Sequence, residues 1–198
     1  MILSESYKIT PKKSHNAFSV NRALVNSHDY HKKFDDLTPH KSANESIYNQ
    51  SKRILEHRDG TEFESMSVIN ARTGELITDN LSETINNNSR TGLTKEQYDK
   101  VVQSKEKFIL IHNHPASTRP SVTDILTLWK EKNATSSIIA GHDGSVFAIS
   151  NINRKMPLDK MYEKAYNEYK EMGYTSEMAK IKATNTLYES GAFTIKEV

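Results

Sequence analysis

Between His112 and Asp124 the chain places two imidazoles, a hydroxyl and a carboxylate within thirteen residues, as His112-Asn113-His114-Pro115 and then Ser121-Val122-Thr123-Asp124. Imidazole nitrogen and carboxylate oxygen are ordinary ligands of a divalent metal such as zinc. The apolar run Phe108–Ile111 predicts a buried strand leading into the first histidine. Alternation along that strand points His112 and His114 the same way and sends Asn113 elsewhere. Pro115 stiffens the exit. Ile125, Leu128 and Trp129 recur at helical spacing, so Asp124 falls on the first turn of a helix and can swing back toward the imidazoles. Three protein ligands leave a fourth position for water, the arrangement a hydrolytic zinc requires. A plainer reading exists for each half. Ser121 suits an N-cap, Asp124 suits the helix dipole, and His-Asn-His suits a surface turn.

Hydrolysis also needs a base. The segment Thr61-Glu62-Phe63-Glu64-Ser65-Met66-Ser67-Val68 supplies two carboxylates. Alternation puts Glu64 on the side of Met66 and Val68, facing inward, where a carboxylate is costly without a partner or a task. Glu62 is the second candidate, and both carboxylates could instead be solvated strand-edge charges.

The pattern resembles the JAMM signature, H-x-H-P followed by S-x-x-D, of the JAB/MPN metalloprotease family. The match lies in His112, His114, Pro115, Ser121 and Asp124, and the JAMM-like portion spans roughly residues 60–150. One departure is visible: the loop Ala116–Pro120 is one residue shorter than in the common pattern. The resemblance implies His112, His114 and Asp124 as zinc ligands, Glu64 as the general base and Ser121 as a hydroxyl that steadies the oxyanion. It implies hydrolysis of a peptide or isopeptide amide: zinc acidifies a water, Glu64 takes its proton and returns it to the leaving amine. Protein or peptide substrates follow, ubiquitin-like conjugates among them. The implied fold is α/β (α+β), a cytidine-deaminase-like curved mixed sheet flanked by helices. RadC-type proteins share a similar His-Asn-His-Pro. A wider likeness, carried by Tyr30–Leu37, Arg58-Asp59-Gly60-Thr61 and Gly141–Ser145, is to the JAB-like region of phage minor capsid or head-morphogenesis proteins, which implies phage structural proteins as partners. The competing function is a non-catalytic MPN-fold assembly module of a phage particle. Retention of every expected ligand favours the hydrolase.

Composition narrows the field further. With 27 basic and 25 acidic residues, net charge is +2, which gives no basic footprint for nucleic acid. An HNH nuclease spreads its residues over a hairpin and helix rather than three consecutive positions. Cysteine is absent, which excludes disulfides, thiolate zinc sites and the Pro-Cys-x-x-Cys half of a zinc deaminase. No signal peptide or membrane-length apolar run is evident, so a cytoplasmic location is the expectation. Five of the eight histidines (His15, His28, His31, His40, His57) lie scattered among polar residues and read as solvated surface.

The elements that must position the site follow from local signals. Residues 1–40 read as a polar N-terminal arm with a short helix near Asp29–Phe34. Residues 41–150 form the metalloprotease-like domain, and 151–198 a C-terminal helical extension. Ser42-x-x-Glu45 and Thr94-x-x-Gln97 have the form of capping boxes, opening helices over 43–57 and through Val102. Strands are expected at 66–70 and 75–78 around Thr73-Gly74, and at 137–140 and 146–149 around Asp143-Gly144. Asn86–Ser89 reads as a loop. Leu158, Met161, Tyr162, Ala165, Tyr166, Tyr169 and Met172 form a helical packing stripe that ends at Gly173, before a second helix from Ser176 to about Glu189.

Overall fold

The computed structural model describes residues 17–81 and 92–198. The expectations for Asn86–Ser89, His15 and the first sixteen residues lie outside the described residues. Among the described residues there are seven helices and six strands: α1 (Arg22–Val25), α2 (His28–Lys32), α3 (Lys41–Arg58), β1 (Met66–Asn70), β2 (Leu76–Asp79), α4 (Lys95–Ser104), β3 (Phe108–His114), α5 (Val122–Lys130), β4 (Ala134–Gly141), β5 (Val146–Ser150), α6 (Leu158–Glu171), α7 (Ser176–Glu189) and β6 (Thr194–Glu197). The strands form one mixed sheet in the order β2-β1-β3-β4-β5-β6. Only the central pair β3–β4 is parallel, with α5 as the crossover, and the other described pairs are antiparallel.

Alternation on the central strands divides the core in two. Ile109 and Ile111 of β3, with Ile138, Ala140, Val146 and Ala148, face α3 through Ile47, Ile54 and Leu55. Phe108 and Leu110, with Met66, Val68, Ile139, Phe147 and Ile149, face the opposite layer, made by Val101 of α4, Ile125 and Leu128 of α5, Leu158 of α6 and Leu187 of α7. β3 is buried along its whole length. That burial overturns the surface-turn reading of His-Asn-His.

The described part of the N-terminal segment, from residue 17 on, packs against the domain. Val20, Val25, Tyr30 and Phe34 are buried in the α3-side core, and the Tyr30 and Phe34 rings meet edge-on at 5.2 Å. Apolar residues at i and i+4 on an otherwise polar stretch suffice to dock so short a helix. Ser42 does not cap α3. The helix begins at Lys41 behind His40, Ser42 Oγ donates to the Arg72 carbonyl at 3.1 Å, and Glu45 pairs with His31. At the other end, the two expected helices are present, and β6, which sequence reasoning missed, returns the chain to the sheet beside β5. Leu158 and Ala165 of the α6 stripe are buried and Met161 and Tyr162 pack against this core, while Met172 at its end is 70% exposed. No helix among the described residues is long and apolar enough to cross a membrane.

Candidate metal centre

The β3 alternation that fills the core also places His112 and His114 on the α5 side, two and four residues beyond Leu110. Helix α5 starts next to them because Ser121 caps it. The Ser121 hydroxyl accepts the Asp124 N–H at 3.3 Å, and the Asp124 carboxylate accepts the Ser121 N–H at 2.6 Å, a reciprocal capping box. The Ser121 hydroxyl also donates to Asp124 Oδ2 at 2.8 Å. The cap therefore does two things: it starts the helix and fixes the carboxylate rotamer that faces the histidines.

The three side chains converge. His112 Nε2 lies 3.2 Å from His114 Nε2 and 3.1 Å from Asp124 Oδ1, and His114 Nε2 lies 3.3 Å from Asp124 Oδ2. Ligand atoms around a tetrahedral zinc with bonds of about 2.0–2.1 Å stand about 3.3 Å apart. The two imidazole nitrogens already stand at about that spacing, and each has one carboxylate oxygen of Asp124 at a similar distance, Oδ1 for His112 and Oδ2 for His114. These three residues can hold a metal ion.

Protonation points the same way. His114 Nδ1 donates to the Thr118 carbonyl at 2.9 Å, so in the neutral ring Nε2 carries the lone pair. That lone pair faces the Asp124 carboxylate and His112 Nε2, where a metal ion, a proton on the His114 ring or the Nε2–H of His112 can lie between them. Burial opposes charge on His114, but the Asp124 carboxylate outweighs it and raises the ring above its ordinary value. Burial likewise opposes charge on Asp124, yet the His112 and His114 rings hold its carboxyl well below the usual range. The Thr118 carbonyl gives His114 the outer-shell support on which metal-bound imidazoles ordinarily lean, and His112 Nδ1 is buried with no hydrogen-bond partner among the described residues.

A cavity of about 540 Å³ opens over these three side chains. Glu64 and Met66 form one wall and Thr118, Ser121 and Thr127 another, while Glu177 and Lys180 come from α7. Glu64 thus shares the cavity with His112, His114 and Asp124, in keeping with its expected place on the Met66–Val68 side. Glu62 is exposed and not part of the lining. The loop Ala116–Pro120 is tied from both sides: the Tyr188 hydroxyl of α7 donates to the Pro120 carbonyl, Arg119 lies 4.5 Å over the Tyr188 ring, and Ser117 Oγ accepts the Asp143 N–H at 2.9 Å.

One residue and one helix near the site have no local sequence signal. His142 lies in the turn after β4, buried and bonded to Asn113 across the sheet face opposite His112 and His114. α7 contributes a wall of the cavity although it begins more than fifty residues after Asp124. Among known proteins the chain matches no family model, no curated protein and no solved structure.

Proposed function

We propose that this chain is a zinc-dependent hydrolase of peptide or isopeptide bonds of the JAMM type. The observation that carries the reading is the convergence of His112, His114 and Asp124, each imidazole Nε2 within 3.3 Å of the other or of a carboxylate oxygen, in a cavity that Glu64 also lines. A central parallel pair β3–β4 with helices on both faces of a mixed sheet is in keeping with a JAB/MPN-like, cytidine-deaminase-like architecture. On this reading zinc is the resident metal, held by the two imidazoles and the aspartate.

Zinc, when bound, would bring the pKa of a water toward neutrality and polarise the scissile carbonyl. The protein's own residues supply the rest. Glu64 accepts the proton of the attacking water and delivers it to the leaving amine. The Ser121 N–H keeps Asp124 in its ligating rotamer while the hydroxyl, at the cavity edge, turns its one proton from Asp124 Oδ2 to the developing oxyanion. Thr118 holds His114 in the tautomer that leaves Nε2 free to bind metal. The substrate is a protein or peptide amide, ubiquitin-like conjugates included, and phage structural proteins are candidate partners.

The test is Glu64→Gln, assayed on fluorogenic peptides and lysine-linked ubiquitin-like conjugates, with zinc content measured in parallel. The variant should keep its zinc and lose about 100-fold or more of its activity. Full activity in the zinc-loaded variant would remove Glu64 from the mechanism. A wild-type chain that folds, takes up no zinc and cleaves nothing would favour the assembly-module alternative.

A further inference from the structure

Asn113, between the two histidines, faces the opposite side of β3 and is wholly buried. There its carboxamide is saturated. Oδ1 accepts the Ser65 N–H at 2.8 Å, and Nδ2 donates to the Phe63 carbonyl at 3.1 Å and to His142 Nε2 at 2.9 Å. Phe63 and Ser65 are the two neighbours of Glu64. Main-chain pairing between β1 and β3 stops at Met66–His112. One step further on, where Ser65 would face Asn113, the side chain takes over from the ladder and grips the backbone on both sides of Glu64.

The grip has its own support. His142 Nδ1 donates to the Phe18 carbonyl at 2.6 Å, which leaves Nε2 as the acceptor the Asn113 amide needs. Phe18 O also accepts the Gly60 N–H at 3.1 Å, and the His142 carbonyl accepts the Asn21 N–H at 2.7 Å. From the other flank, Asn80 Oδ1 accepts the Met66 N–H at 2.7 Å. A fully satisfied buried network of this kind fixes one geometry, because every alternative leaves a polar group unpaired.

We infer that Asn113 is a positioning residue for Glu64, tying the backbone that carries the base to the strand that carries two metal ligands, with His142 holding the amide in its working orientation. The inference rests on the hydrolytic reading for the role of Glu64, whereas the clamp itself is independent of it. The middle residue of His-Asn-His then sets the distance from base to metal while touching neither.

The experiment measures amide hydrogen exchange in the full chain, with and without zinc, for wild type and Asn113→Ala, together with zinc content and steady-state kinetics. The Ser65 amide should exchange about tenfold faster in the variant, the factor one net hydrogen bond is worth, while Ile138 in β4 and Ile149 in β5 keep wild-type rates and zinc stays bound. On any peptide the wild type cleaves, kcat should fall about 100-fold, the effect expected of a base displaced by about 1 Å, with KM little changed. Unchanged exchange at Ser65, or acceleration spread equally over β4 and β5, overturns the inference in favour of no role or a merely structural one. If Asn113→Ala does not fold, His142→Leu, which removes one of the three bonds, is judged by the same comparison. A wild type that binds zinc and cleaves nothing overturns the role of Glu64 and the inference with it. That failure is distinguishable, because Ser65 would still respond to Asn113→Ala.

Discussion

Asp124→Asn in metal-free protein isolates the carboxylate at the centre of the site. The side chain keeps its volume and one oxygen for the Ser121 cap, and loses its charge. In the wild type that charge stands 3.1 Å from His112 Nε2 and 3.3 Å from His114 Nε2. At an effective dielectric near 20, unit charges about 3.2 Å apart attract by about 5 kcal/mol. Most of this is offset by desolvation of the buried pair, and a hydrogen bond to a charged group nets about 1.5–3 kcal/mol. A cost of about 2 kcal/mol lowers the melting temperature of a chain this size by about 4–8 °C. The pH dependence is the sharper part. His114 is raised, so its contribution to stability is complete below about pH 6.5 and is lost as pH rises through its folded value. Asp124 is depressed, so its contribution is present above about pH 3.9 and is lost as pH falls through its folded value. Both contributions coexist between about pH 4 and 6.5. His142, lowered by burial, titrates in both proteins and cancels in the difference. Thermal melts in EDTA should therefore show the full cost near pH 5.5 and much less near pH 9. An equal cost at both, or a larger one at pH 9, would refute the ion-pair geometry.

Zinc should reverse the trend. If free zinc exceeds the dissociation constant by about 1,000-fold, binding stabilises the native chain by about 4 kcal/mol, or about 8–16 °C in melting temperature. His114→Ala should lose most of that shift, and an undiminished shift measured by differential scanning calorimetry would place the ion elsewhere. Arg154 Nη2 donates to the carbonyls of Leu128, Glu131 and Ala134 at 3.1, 2.9 and 2.7 Å, closing the C-terminus of the helix that carries Asp124. Arg154→Ala should cost about 2–3 kcal/mol in urea unfolding, and a cost below about 0.5 kcal/mol would show the cap to be dispensable.

The site was legible because its signals are local. Two histidines at a period of two after Phe108–Ile111 can only share a face, and Ser121-x-x-Asp124 marks a helix start whichever function it serves. Thr94 and Gln97 form the expected capping box, and Gly144, with φ +92°, makes the expected hairpin turn. What escaped depends on partners distant in sequence. Tyr30 and Phe34 stand on a polar segment where a short helix is expected, and only α3 and the sheet supply the face that buries them. Thr194–Glu197 is too short and polar to read as a strand, and is one because β5 has a free edge. Ser42 resembled a cap, but the Arg72 carbonyl claims its hydroxyl. Asn113 and His142, 29 residues apart, reveal their link only when β3 and the end of β4 lie side by side.

Zinc-edge anomalous diffraction from crystals grown with zinc tests the central claim most directly. The account predicts a single peak about 2.0–2.2 Å from His112 Nε2, His114 Nε2 and a carboxylate oxygen of Asp124. Zinc-saturated crystals with no peak among those three side chains, or with the three turned away from one another, would contradict it.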